Sequence, residues 1–153
     1  MHQCPSECAP ETLGTSLSAD LGIITLSSGD LPIIQSSIAL QGNGNTLSGA
    51  NTYRGLLIYS GSVAVNYLTI QNAVAQGGAG YAGGGGGAGL GGALFVGSGA
   101  IVSVSNVQLV GNSANGGAGA GVGPSAVNGG GGMGGNGGGA SASFGGGGGL
   151  GFE

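Results

Sequence analysis

Glycine in this chain is sorted rather than scattered. Of the 42 glycines, eleven lie in the sixteen residues 77–92 and twenty in the thirty-six residues 116–151, leaving eleven for everything else. Segments this rich in glycine supply no side chains to a core. They also resist helix formation, because glycine loses more backbone freedom on ordering than any other residue. The intervening sequence is the opposite material. It consists of short runs of Ile, Val, Leu and Thr, separated by the Gly, Ser, Asn and Asp that tolerate turns and positive φ. Any fold for this chain has to join strands that want a core to tracts that cannot provide one.

The strand candidates before the first tract are Ile23 to Leu26, Leu31 to Ile34, Ile38 to Leu40, Asn45 to Leu47, Leu56 to Tyr59, Val63 to Val65 and Tyr67 to Ile70. After it come Ala93 to Val96, Ile101 to Val104 and Val107 to Val110. No segment keeps a 3.6-residue apolar period, so the chain reads as all-β. At 153 residues it is one domain at most.

Residues 55–72 and 93–112 repeat each other. Leu56 aligns with Leu94, Ile58 with Val96, Ser60 with Ser98 and Gly61 with Gly99. One residue out of step, Val63 and Val65 align with Val102 and Val104, and Leu68 and Ile70 with Val107 and Leu109. A more divergent unit runs from Ile23 to Leu47. Three short strands per unit predict a right-handed parallel β-helix, a solenoid whose stacked rungs line like residues into inward ladders. Asn72 and Asn112 are candidates for a corner ladder. A β-sandwich fits less well, since its strands would be too short and its hairpins would have to cross glycine tracts.

This organisation gives an irregular lead-in over residues 1–20, rungs over 21–115 interrupted by an insertion at 77–92, and a second insertion at 116–151. Insertions in solenoids emerge at one face. Here both leave after the third strand of a rung and return at the first strand of the next. Leu150 and Phe152, in residues 150–153, resemble the start of a further rung.

Charge excludes most chemistry. Five acids, one histidine and one basic residue, Arg54, are present, and Lys is absent. Nucleic-acid binding needs clustered cations to displace counterions, and attachment to anionic membranes needs the same. Acid–base catalysis needs titratable groups within reach of one another. The chain offers only His2 near one end, Glu153 at the other, and Glu7, Glu11, Asp20 and Asp30. No catalytic, cofactor-binding or metal site is expected. Asp30 and Arg54 read as solvated or turn-stabilising lone charges. A P-loop would need Lys, and a dinucleotide fingerprint would need a helix after the glycines. Calcium-binding glycine repeats would need Asp, absent from 77–151. An ice-binding face would need a regular Thr ladder, and Thr25, Thr46, Thr52 and Thr69 are read as not recurring at one rung position. A polysaccharide-acting β-helix would need clustered charges on one face.

Cys4 and Cys8 admit two readings: a small disulfide-closed loop, which would place the chain in an oxidising compartment, or two free thiols on a terminal segment. Residues 1–15 lack the basic and apolar regions of a signal peptide. No stretch is apolar and long enough to span a bilayer as a helix.

Gly91-Gly92-Ala93-Leu94 matches the G-G-A-[ILV] motif of bacterial polymorphic outer-membrane proteins and related autotransporter passenger domains, and the chain resembles that family. Leu109-Val110-Gly111-Asn112 is similar to the companion F-x-x-N motif, with Leu in place of Phe. Residues 38–49 are similar to the first-rung pattern of such passengers. The resemblance covers residues 21–115, and it departs from the pattern at Arg54-Gly55-Leu56, where G-G-A would stand. It implies a β-helical stalk, display at the outer membrane or secretion, and an adhesive or structural role. Enzyme activity in such passengers comes from an inserted domain, and none is read here.

The expected function is therefore a non-enzymatic, extracellular or cell-surface module. Its partners would be other copies, surface proteins, or host and environmental surfaces, with no nucleic acid and no direct membrane insertion of this segment. The alternative is a self-assembling extracellular filament subunit that uses open solenoid ends and glycine packing. The tracts themselves are expected to adopt an extended, three-residue-per-turn form like polyproline II and to bond laterally to one another.

Overall fold

The computed structural model describes residues 22–81, 83–120, 131–133 and 136. Cys4, Cys8, Leu150 and Phe152 lie outside the described residues, as does most of the second tract. The described chain contains no helix. Its nine strands are β1 (Ile23–Thr25), β2 (Ile38–Gln41), β3 (Thr46–Ser48), β4 (Leu56–Asn66), β5 (Thr69–Gln71), β6 (Val74–Gln76), β7 (Leu94–Ser105), β8 (Gln108–Val110) and β9 (Ser113–Asn115).

Every pairing is parallel. The long-strand sheet has the order β2-β4-β7, the four-stranded sheet β1-β3-β5-β8, and the third pairs β6 with β9. From β4 onward the chain visits the three sheets in turn and then visits them again in the same order. The result is a β-helix-like parallel arrangement.

The register measures the insertion. Thr46 pairs with Thr69, 23 residues on. Thr69 pairs with Gln108, 39 residues on. The difference, 39 − 23 = 16, is the length of the first glycine tract, residues 77–92. The tract is therefore added to one pass without disturbing the strands on either side.

Alternate residues point inward and stack into columns. Ile24, Leu47, Ile70 and Leu109 form one. Ile38, Val63 and Val102 form another, with Leu40, Val65 and Val104 beside it. The middle of each column is sealed: Ile58, Ile70, Val63 and Val65 are the largest fully buried side chains. Each contributes about 1.5–3 kcal/mol by leaving water. At the terminal strands of the described stack the columns are exposed, Ile24 to 51 % and Leu109 to 56 %.

The strand pattern differs from the sequence reading in five ways, the first being that Leu31 to Ile34 forms no strand and only Ile34 makes an isolated bridge, to Ile58. Leu56 to Tyr59 and Val63 to Val65 are one strand, β4, and their counterparts fuse into β7, because the Ser-Gly between them continues the extended chain instead of turning. The third sheet, Val74–Gln76 with Ser113–Asn115, was not expected, since neither segment carries an apolar run. The register slip falls between Ile58 and Ser60 rather than after Gly61. Ser60 therefore pairs with Gly99 and Gly61 with Ala100, the extra residue being absorbed where Gly97 packs against the Tyr59 backbone. Finally, Thr46 and Thr69 do stack, contrary to expectation, although Ile23 and Gln108 flank them in that column and no regular threonine ladder results.

Candidate functional site

The first tract leaves the stack after Gln76 in β6 and returns at Leu94 in β7. It runs out and back as two limbs, 77–80 and 84–89, turned at Tyr81–Gly84, where Gly84 N–H donates to the Tyr81 carbonyl at 2.9 Å and Gly83 has φ 89°. Residues 116–120 and 131–133 of the second tract, with Asn115 at the end of β9, lie alongside.

The four segments bond through their backbones. Gly77 and Gly80 donate to the carbonyls of Asn115 and Ala118, both at 2.8 Å. Gly117 and Ala120 donate to those of Gly87 and Gly84, at 2.8 and 3.0 Å. In both pairs the bonds recur every third residue, so each segment presents one face in three to a given neighbour. Gly87 N–H to Gly78 O at 2.8 Å joins the two limbs, while Gly78 to Gly132 and Gly131 to Gly85, both 2.9 Å, attach the fourth segment. Asn136 adds a side-chain acceptor for Ala79 N–H at 2.9 Å.

These contacts require glycine. A Cβ on Gly77, Gly80, Gly86, Gly87, Gly89, Gly117 or Gly131 would collide with the carbonyl of a neighbouring segment. Ala79, Ala88 and Ala118 are all exposed. The interruptions in the glycine runs thus mark outward faces, a signal the sequence carries and the sequence reading missed.

Side chains seat this sheaf on the stack. Gln76 Nε2 donates to Gly77 O at 3.2 Å and to Gly116 O at 3.1 Å, so one amide holds the roots of both tracts. At the return, Arg54 Nη1 donates to Leu90 O at 2.7 Å, and Arg54 N–H donates to Asp30 Oδ1 at 2.7 Å. Arg54 is 5 % exposed, so it is neither solvated nor a simple turn residue. Burial lowers its pKa from the ordinary value and the nearby Asp30 charge opposes that shift; an arginine this basic remains charged. Sequence reasoning missed this junction because Asp30, Arg54 and Leu90 are far apart along the chain.

The motif residues have distinct structural tasks. Gly91 has φ 63°, which a residue with a Cβ adopts with strain. A Cβ on Gly92 would strike Ser113 O. Ala93 is in the core, Leu94 pairs with Leu56, and Leu109 ends its column. Asn112 Oδ1 accepts from Ala73 N–H, and its Nδ2 donates to Ile70 O, both at 2.8 Å. Asn72 does not stack on it. The register sets Asn72 beside Gly111, one position away, and both residues have positive φ, 50° and 62°. The corner ladder is therefore replaced by one bridging asparagine and one left-handed column.

Among the described residues the sheaf offers backbone amides, carbonyls and alanine methyls, with the exposed Tyr81 at its turn and Leu90 at its return. No family model, curated protein or solved structure matches the chain.

Proposed function

We propose that this chain is a non-enzymatic structural and adhesive module of the extracellular surface. In this reading it is a right-handed parallel β-helix with a polyglycine sheaf growing from one corner, carried as the passenger of a bacterial surface protein. The observation that carries the reading is the three-residue bonding period between glycine segments whose packing leaves no room for Cβ atoms. Ordering glycine is entropically expensive, so a sheaf held this closely is itself a built element rather than a linker. Its projection from the stack presents an uncharged surface suited to contact. Adsorption of the purified chain to abiotic and cell surfaces, followed by quartz-crystal microbalance, tests this. Retention lost in a Gly87→Ala variant supports the role, and equal retention of both proteins removes it.

A second reading, a filament subunit, is favoured by the open column ends. Among the described residues, seven of the eleven exposed large hydrophobics lie on β1, β7 or β8, the terminal strands of their sheets, and exposed apolar patches of this kind mark association surfaces. Negative-stain microscopy distinguishes the readings: regular fibres favour the filament, and monodisperse particles favour the passenger.

A further inference from the structure

Asparagine precedes glycine at Asn43, Asn115, Asn128 and Asn136. Asn128 and Gly137 lie outside the described residues. The Asn136 carboxamide is engaged, accepting from Ala79 N–H at 2.9 Å. The fold treats the remaining pairs, Asn43-Gly44 and Asn115-Gly116, differently. Gly44 N–H donates to Tyr67 O at 2.7 Å, a bond between successive passes of the chain, and the adjacent Gly42 and Asn45 donate to Asn66 O and Gly42 O, both at 2.8 Å. Asn115 ends the three-residue strand β9 and is exposed, as is Gly116. Among the described residues the Asn115 carboxamide makes no hydrogen bond and the Gly116 N–H has no acceptor. A Cβ on Gly116 would meet only Gly87 O, at 3.7 Å, so the space around this peptide is open.

We propose that Asn115 is a self-modification site, deamidated by attack of Gly116 at the root that the two glycine tracts share. The Gly116 nitrogen gives its proton to water or hydroxide and bonds to Asn115 Cγ. The Cγ–Nδ2 bond breaks, and the nitrogen leaves as ammonia with a proton from solvent. A glycine makes this approach easy, since it brings no Cβ against the closing ring. The peptide joining Asn115 to Gly116 is held to its neighbour by the bond from Gly77 N–H to Asn115 O at 2.8 Å, and strand ends open locally at little cost. Water then opens the five-membered succinimide. Cleavage at Cγ leaves aspartate, and cleavage at the main-chain carbonyl carbon leaves isoaspartate. In the isoaspartyl product the chain runs through Cβ and Cγ, and the former main-chain carbonyl becomes a free carboxylate. Gly116 is displaced from β9, and with it the carbonyl that accepts Gln76 Nε2 at 3.1 Å. The second tract then hangs from a longer, charged root. This consequence rests on the reading of the sheaf as an ordered element; the chemistry at Asn115 does not.

Mass spectrometry of the whole chain, incubated at mildly alkaline pH both folded and in denaturant, tests the site, with electron-based fragmentation to separate isoaspartate from aspartate. In the folded chain Asn115 is expected to convert at least about tenfold faster than Asn43, whose attacking amide is pinned, and in denaturant the two rates should converge. Gly116→Ala should slow conversion at Asn115 while leaving the strands intact, since its Cβ has room. Equal folded rates at Asn43 and Asn115, or a faster Asn43, overturn the proposal. Hydrogen exchange on the separated isoaspartyl form reads the consequence. Gly117 N–H, bonded to Gly87 O, reports the sheaf, and Val74 N–H, bonded to Tyr53 O, reports the stack. Gly117 protection is expected to fall at least about tenfold while Val74 holds. Unchanged Gly117 protection overturns the effect on the sheaf. A Gly117 amide unprotected before conversion overturns the ordered sheaf instead, so the two failures are told apart.

Discussion

The carboxamide of Asn112 accepts the Ala73 N–H at 2.8 Å and so fastens one pass of the chain to the next at a corner. Its amide group also donates to Ile70 O at 2.8 Å. One side chain thus satisfies the corner N–H of Ala73 and adds a second bond to a carbonyl of β5. Asn112→Ala leaves the Ala73 N–H without its side-chain acceptor and is expected to destabilise by about 1–3 kcal/mol, the cost of one buried unpaired group. Asn112→Asp keeps the acceptor and loses the donor, so it should fall between the two. Denaturant midpoints of the three proteins give the order. An alanine variant as stable as the parent would show that water replaces the side chain.

Within the sheaf the requirement for glycine is positional. Gly87→Ala drives a methyl group into the Gly132 carbonyl, whereas a Cβ on Gly85 meets nothing within 4 Å. The first change is expected to cost about 1–3 kcal/mol through overpacking. The second should be neutral or stabilise by about 0.4–1 kcal/mol, because it narrows the unfolded ensemble. Thermal melts of the pair check this, and equal effects at both positions would mean that the segments do not pack as described.

Much of the fold could be read from the sequence because its columns are made of distinctive residues. Leu56 and Leu94, Val63 and Val102, and Ile70 and Leu109 announce their pairing by type. Val74–Gln76 and Ser113–Asn115 do not, since Ala75 and Ala114 form an inward column too small to stand out from the background. The slip at Tyr59 was misplaced because Ser-Gly recurs in both repeats and invites alignment with itself. Lateral packing of the tracts was legible from composition, but not their seat. Arg54 reaches Leu90 over thirty-six residues, and no local pattern encodes that contact.

The columns also predict a gradient of sensitivity. Ile70 is 1 % exposed and Leu109, its neighbour in the same column, is 56 % exposed. Ile70→Ala should cost about 2–5 kcal/mol. Leu109→Ala should cost well under about 1 kcal/mol in the isolated chain, since most of that side chain is already in water. If Leu109→Ala proves as damaging as Ile70→Ala at low protein concentration, the upper end of the stack is covered in solution. Sensitivity that appears only at high concentration would point to association at that end.

Tyr67 offers a test in the opposite direction. It turns the corner after β4 with φ 51°, where the matching residue one pass later is Asn106 with φ 52°. Left-handed backbone costs a bulky residue roughly 1–2 kcal/mol, and asparagine tolerates it far better. The tyrosine ring is 55 % exposed, so little packing is lost on removing it. Tyr67→Asn is therefore expected to raise stability by about 1 kcal/mol, visible as a higher melting temperature with the strand register unchanged. A drop in melting temperature would show that the ring makes contacts worth more than the strain it imposes.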